Sequence, residues 1–441
     1  MLNPRGRALR ADKPFRRGGS PRARHTALAL MASLGAFLGA SLGASFGAAA
    51  EILTLERALG LAEQGSPRLR AADAYTSQAR SGLVVAGQYP NPDIELSAGQ
   101  SRARIAGALP GSTRTMGISQ PLDLPGVREP RQRAAAAGVV ASEHARDDMR
   151  ISVYAEVRQA FFEVLRRRAE LEVAEDTVKL LEQVRDSVAA RVRVGEAPRL
   201  ELLRAESETL VAGSAVERAR LRIAQGTAEL RQAIGAPLSA NVEPTDRPQP
   251  LPESPELAAM REQMLARHPA LAQVRAQVEQ ARRRLETERA LRSPQPVLRA
   301  GVDQDPELRQ WRIGISVPLP LWNRREGQIG EGIAALTIAE QALEQRRIEL
   351  EAALESNYSR HRIATRQISA LQSVVAQAEA ALRVAQAAYR FGERGILEVI
   401  DAQRTLRTVR LDYLNARFDQ QSAWIELERL RASDLKSKEN P

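Results

Sequence analysis

Phe391-Gly392-Glu393-Arg394-Gly395-Ile396-Leu397-Glu398-Val399-Ile400 is the stretch whose reading decides the fold. It lies inside a run without proline that extends from Leu321 to Asn440. Proline is the strongest helix breaker, so the run reads as a very long helix, a tight turn at Phe391 to Gly395, and a second helix reaching Leu430. The same object occurs earlier. Gly195-Glu196-Ala197-Pro198-Arg199-Leu200-Glu201-Leu202-Leu203 lies over Gly392 to Ile400 without a gap. Pro130 and Pro198 bracket its first arm, and Arg199 to Ala236 is its second. The chain is therefore read as a duplication in which each copy ends in a helical hairpin tip.

Composition agrees with long helices. Only 4% of the 441 residues are aromatic, which suits narrow apolar seams better than a thick core. The formal charge of +10 is concentrated at the N-terminus. Residues 1–25 hold Arg5, Arg7, Arg10, Lys13, Arg16, Arg17, Arg22 and Arg24 against one acid, Asp12. Basic clusters interleaved with aromatics are absent from the remainder, so no nucleic-acid partner is expected. The basic segment, the apolar run from Ala27 and the small residues Ala48-Ala49-Ala50 predict a signal peptide over residues 1–50. The alternative is a retained membrane anchor, weakened by its Gly, Ser and Ala content. There is no cysteine, which excludes disulfides and thiolate metal sites. No later apolar run approaches the length of a membrane-spanning helix, so any crossing by the mature chain must use strands.

Thr54 caps a short helix, and Ser66-Pro67 starts a second that runs to about Ala86. Ile94, Leu96 and Ala98 then alternate with Glu95, Ser97 and Gly99; Met116 and Ile118 alternate with Thr115, Gly117 and Ser119. Period two with a turn between predicts a β-hairpin at about 92–120. A helix of about 68 residues follows to Val194, roughly 100 Å at 1.5 Å per residue. Val157, Val164, Leu171 and Val178 repeat every seven residues, as do Ala174, Leu181 and Val188. That period predicts a supercoiled seam. After a proline-rich linker from Pro244 to Pro255 the order repeats. His268-Pro269 matches Ser66-Pro67, and a second β-hairpin is predicted at about 296–318 with its turn at Asp305-Pro306. The expected division is a first repeat over 51–250 with its tip near 195, a second over 251–432 with its tip near 392, and a disordered tail over 433–441.

Four strands cannot close a barrel, which takes about eight, and an open sheet leaves pairing edges. Two solutions stand on periodicity alone: several chains pooling strands into one membrane barrel, or a soluble coiled-coil protein with two exposed hairpins.

The segment Leu53-Thr54-Leu55-Glu56-Arg57-Ala58-Leu59, the following Ser66-Pro67-Arg68-Leu69-Arg70-Ala71-Ala72 and the stretch Phe391 to Leu406 resemble TolC-family outer-membrane efflux proteins across about residues 51–432. The resemblance implies a mainly α fold with a membrane β-barrel. Duplicated hairpins would form a periplasmic α-barrel, and four strands per chain would enter a trimeric 12-stranded β-barrel. It further implies an exit duct of a tripartite pump. The partners would be a periplasmic adaptor, a proton-driven transporter of the inner membrane and outer-membrane lipid. Ser119 to Arg128 and Leu319 to Ile329 resemble, more narrowly, the outer-membrane component of cobalt-zinc-cadmium-type pumps. Heavy-metal cations are the cargo this implies. The alternatives are a duct for drugs, other organic compounds or secreted proteins, and, in another class, a periplasmic adaptor or coiled-coil structural protein.

No catalytic motif or phosphate loop is present, and the chain does not read as an enzyme. His144, His268 and His361 have no partner at metal-ligand spacing, so no metal site or cofactor is expected. Two clusters remain. Glu398 and Asp401 are three apart and share a helix face, and Glu201 holds the place in the first copy equivalent to Glu398. By resemblance, Tyr389, Arg394, Glu201, Glu398 and Asp401 fall where a periplasmic gate is held shut, with Arg394 and Tyr389 bonding to Glu201 across neighbouring hairpins. Ordinary surface ion pairs are the alternative. Gly195 and Gly392 supply the positive φ of a sharp helix end. By resemblance, Gly195, Glu196, Leu200, Gly392, Glu393, Gly395 and Leu397 form tips that meet the adaptor.

Overall fold

The computed structural model describes residues 51–433 apart from 103, 108, 237–241, 246–250 and 253–254. The expected signal segment 1–50 and the tail beyond Ser433 lie outside the described residues.

The first half runs β1 (Glu51–Leu53), α1 (Leu55–Gly65), α2 (Pro67–Gly87), β2 (Asp93–Ser101), β3 (Gly111–Pro121), α3 (Pro125–Arg193) and α4 (Arg199–Ile234). The second opens with β4 (Val242–Pro244), ahead of the expected boundary at residue 251, and runs on through α5 (Leu257–Arg267), α6 (Pro269–Ala290), β5 (Val297–Gln304), β6 (Arg309–Ser316), α7 (Glu326–Arg390) and α8 (Ile396–Leu430). Local chemistry sets the boundaries. The Thr54 hydroxyl accepts from the Arg57 amide, and Pro67 and Pro269 occupy first turns where a missing N–H costs nothing. The His268 imidazole caps α6 by accepting from the Ala270 amide at 3.2 Å.

With 69 and 65 residues, α3 and α7 are each roughly 100 Å long. Each turns back through a glycine at φ +77° (Gly195) or +76° (Gly392). The amides of Glu196 and Glu393 return to the carbonyls of Arg191 and Ala388, both at 2.9 Å, as a Schellman turn requires. Along the arms the seven-residue positions point inward: Val157, Val164, Leu181, Val188, Leu350, Val399, Leu406 and Ile425 are buried. Polar ties join the two hairpins where α3 and α8 run side by side. Arg158 bonds to Glu428 at 3.0 Å, Gln159 to Glu426 at 2.7 Å, and Arg166 to Asn415 at 3.0 Å.

Three apolar clusters hold the helices. Leu53, Ala58, Ala62, Leu69, Phe161 and Ile234 lock α1 and α2 against α3 and α4. Met260, Met264, Leu271, Leu354, Trp424 and Leu427 do the same for α5 and α6 on α7 and α8. Val188, Leu382, Tyr389, Ile396 and Ile400 pack near the tips. A short parallel pair, β1 with β4, joins the two halves. Its three-residue strands are too short to show alternation, and Pro244 falls at the expected start of the linker.

At the end opposite the tips, β2, β3, β5 and β6 form one antiparallel sheet in that order. Asp305 turns the second hairpin, its carboxylate accepting from the amides of Glu307 at 2.9 Å and Leu308 at 2.6 Å. Among the described residues both edges, β2 and β6, are unpaired.

Candidate functional site

The register sorts the sheet into two unlike faces. Ile94, Ile118, Ala300 and Ile313 stand in one cross-strand row, and Leu96, Met116, Val302 and Trp311 in the next. Nearly all of these side chains are exposed; Leu96 is 72% and Trp311 75% accessible. The other face carries Asp93, Glu95, Thr115, Gly117, Ser119, Arg299, Gly301, Asp303, Arg312 and Gly314, with Arg312 paired to Asp303. Burying one large apolar side chain is worth about 1.5–3 kcal/mol, so a bare face of this size calls for an apolar environment. The strands are 8–11 residues long, the length that crosses a bilayer when tilted. Beyond the strands, at the helical end, Trp322 is 93% exposed, and Tyr89 lies under the Arg128 guanidinium at 4.0 Å. Aromatics at that level suit a membrane–water boundary. No described helix is long and apolar enough to cross a membrane.

At the tips the expected gate residues divide. Glu201 and Glu398 converge: a Cβ on Gly395 would lie 3.8 Å from the first carboxylate and 3.7 Å from the second. Arg394, in the turn before α8, meets Glu398 of the first turn of α8 at 3.8 Å, and no bond joins it to Glu201 within the protomer. That pair is well exposed. Asp401 is exposed and lies 3.9 Å from Arg404, which also pairs with Glu208 of α4. Tyr389 is buried, and its hydroxyl has no hydrogen-bond partner among the described residues. Burial pushes its phenol up, the Glu201 charge adds to this, and Arg191 opposes it.

Arg191 is the tip residue the sequence reading missed. Its guanidinium donates to the Tyr389 carbonyl at 3.1 Å and stacks on the Tyr389 ring at 4.9 Å, joining the last turn of α3 to the last turn of α7. The available signal was asymmetry, because the second copy places Ala388 at the aligned position. Of the expected tip residues, Gly195, Glu196, Leu200, Gly392, Glu393, Gly395 and Leu397 are all exposed. Val194 and Phe391 join them as large apolar side chains in water, 70% and 82% accessible. No cluster of three or more potential metal ligands occurs among the described residues.

A sheet with one bare apolar face, joined to helical hairpins roughly 100 Å long, fits a protein that enters a membrane through strands and extends helices away from it. The family model described as "Outer membrane efflux protein" matches residues 58–236 and 260–433. The chain belongs to that family, the outer-membrane efflux channels. It is 26% identical over 378 residues to the cobalt-zinc-cadmium resistance protein CzcC of Cupriavidus metallidurans, covering 83% of this chain and 87% of that protein. It is 26% identical over 383 residues to the pyoverdine export outer membrane protein OpmQ of Pseudomonas aeruginosa, covering 80% and 78%. The fold matches the crystal structure of a membrane protein from Pseudomonas aeruginosa with a TM-score of 0.77 at 20% identity, over 86% of this chain and 90% of that one.

Proposed function

We propose that this chain is the exit duct of a tripartite efflux pump and that its cargo is heavy-metal cations. The observation that carries the duct reading is the four-stranded sheet with a bare apolar face and two open edges. Three copies joined β6 to β2 would remove every edge and close a 12-stranded wall. Exposed apolar side chains also run down the outer arms: Leu210 and Leu221 on α4, Ile338, Ile363 and Val384 on α7. In a trimer α4 of one copy meets α7 of the next and covers them. Residues 1–50 direct export and are removed, and the hairpins extend into the periplasm of a Gram-negative cell. Flow through the duct is passive; an inner-membrane proton-driven transporter supplies the energy, and a periplasmic adaptor docks at the tips.

The likeness to CzcC and the stretches Ser119 to Arg128 and Leu319 to Ile329 support cation cargo. In the closed state Glu398 and Asp401 from three copies ring a narrow throat, and Arg394 and Tyr389 reach Glu201 of a neighbouring hairpin. The convergence of Glu201 and Glu398 at Gly395 supports this placement. A second reading, a duct for organic compounds, is favoured by the comparable likeness to OpmQ. Deleting the gene decides between them. Sensitivity to divalent metals with raised intracellular metal supports the cation duct. Unchanged metal tolerance with new sensitivity to dyes or antibiotics transfers the cargo to organic compounds.

A further inference from the structure

The apolar face of the sheet carries two ionisable residues among its described positions, and both sit at the same level. Arg114 of β3 and Arg309 of β6 flank Gln304 of β5 in one cross-strand row, directly beyond the row of Met116, Val302 and Trp311. Every other charged side chain of the four strands points to the opposite face. The two arginines are exposed, and neither has an ion pair or a side-chain hydrogen bond among the described residues. One strand, β5, lies between them, so two inter-strand spacings, roughly 10 Å, separate them. Arg309 precedes Ile315 by six residues, roughly 20 Å along the strand, which puts the row at the loop end of the apolar band.

Position and chemistry together define a partner. An arginine is costly at mid-bilayer and nearly free at the headgroup level, where its planar fork suits phosphate oxygens. If the hairpin tips point into the periplasm, as proposed above, the loop end faces the outer leaflet. We infer that Arg114 and Arg309 bind the phosphate groups of phosphorylated glycolipid in the outer leaflet, anchoring the barrel at a fixed depth. In a trimer whose wall runs β2-β3-β5-β6 and repeats, these residues place an arginine on every second strand. Counted in strands, the spacing is even both within a copy and across the joint, so the arginines recur around the whole wall. The inference rests on the membrane-barrel reading.

The test is a native mass-spectrometric titration of the detergent-solubilised full-length protein with three probes: diphosphoryl lipid A, the same lipid with both phosphates removed, and phosphatidylglycerol. The variants are wild type and Arg114→Gln/Arg309→Gln. Wild type binds the diphosphoryl form about tenfold or more tightly than the dephosphorylated form, and the double variant loses that difference. Equal binding of both forms by wild type, or an unchanged preference in the variant, overturns the inference. Phosphatidylglycerol binding as tightly as diphosphoryl lipid A would overturn the glycolipid as the partner. Channel conductance in planar bilayers is scored separately. Protein that conducts without lipid preference fails the phosphate-binding inference alone, whereas protein that never inserts fails the barrel reading.

Discussion

Arg191→Ala removes the one side chain that, among the described residues, hydrogen-bonds the end of α3 to the end of α7. Three contacts go with it: the 3.1 Å bond to the Tyr389 carbonyl, the 4.9 Å stacking on the Tyr389 ring, and the 3.8 Å approach to Glu196. The arginine is 27% exposed, so each contact is partly screened. A hydrogen bond from a charged donor contributes about 1.5 kcal/mol and a partly exposed cation–π contact about 0.5 kcal/mol. Their sum, about 2 kcal/mol, corresponds to roughly a 30-fold shift in an opening equilibrium at the tip. Amide hydrogen exchange reads it directly. Residues near 190–196 and 387–395 should exchange roughly 30-fold faster in the variant, while the helices around Val157 and Phe161, held by their own core, should not change. Arg191→Lys keeps the charge and loses the planar fork, so it should fall between. The Tyr389 phenol should titrate still higher once Arg191 no longer opposes its burial. Tip exchange unchanged in Arg191→Ala would refute the claim that this residue ties the hairpins together.

Three further outcomes follow from the same geometry. Glu398→Ala with Asp401→Ala should reduce cation selectivity and abolish block by multivalent cations in planar bilayers, an effect weakened by salt because the site is wet; retained selectivity would place the constriction elsewhere. Arg394→Ala removes an exposed pair worth under ~1 kcal/mol within the protomer, so melting should hardly change, while conductance should rise if the arginine ties neighbouring hairpins. His268 is buried and its pKa is pushed down to about 3 by desolvation, with Arg429 and Arg346 adding to the effect. Its unfolded pKa is near 6.5, so the stability it contributes is full above that value and is lost as pH falls toward 3, by several kcal/mol on the order of 1.4 per unit. Asp148, whose Oδ1 lies 4.0 Å away, is pushed up by burial and works in the opposite sense as pH falls. His268→Asn keeps a capping side chain and should flatten the acid limb of a melting-temperature profile; an unchanged limb would assign it to other groups.

Much of the fold is legible because local chemistry and tertiary packing agree. Thr54, Ser66-Pro67 and Gly392 mark helix ends through caps, φ restriction and left-handed turns, and the structure uses each in that way. The seven-residue spacing of Val157 and Val164 meant a buried seam because a long helix has a single face to hide. Alternation at Ile94 and Leu96 signalled strands, but the row made by Arg114 and Arg309 depends on register across β5, which no single strand encodes. The β1–β4 pair was missed because three residues carry no period. At the tip, Glu398 and Asp401 could be read from helical spacing. The stacking of Arg191 on Tyr389 could not, since it arises where two hairpins meet far apart in sequence.

The central claim, three chains sharing one barrel through their sheet edges, is tested most directly by cysteine cross-linking. The chain contains no cysteine, so introduced pairs report without background. Single cysteines along β6, from Arg309 to Ser316, would be combined with single cysteines along β2, from Asp93 to Ser101, and oxidised in isolated outer membranes. The account predicts that pairs at one antiparallel register form covalent dimers and trimers and no larger species. A monomer at every pairing, recovered from the soluble periplasmic fraction, would contradict it.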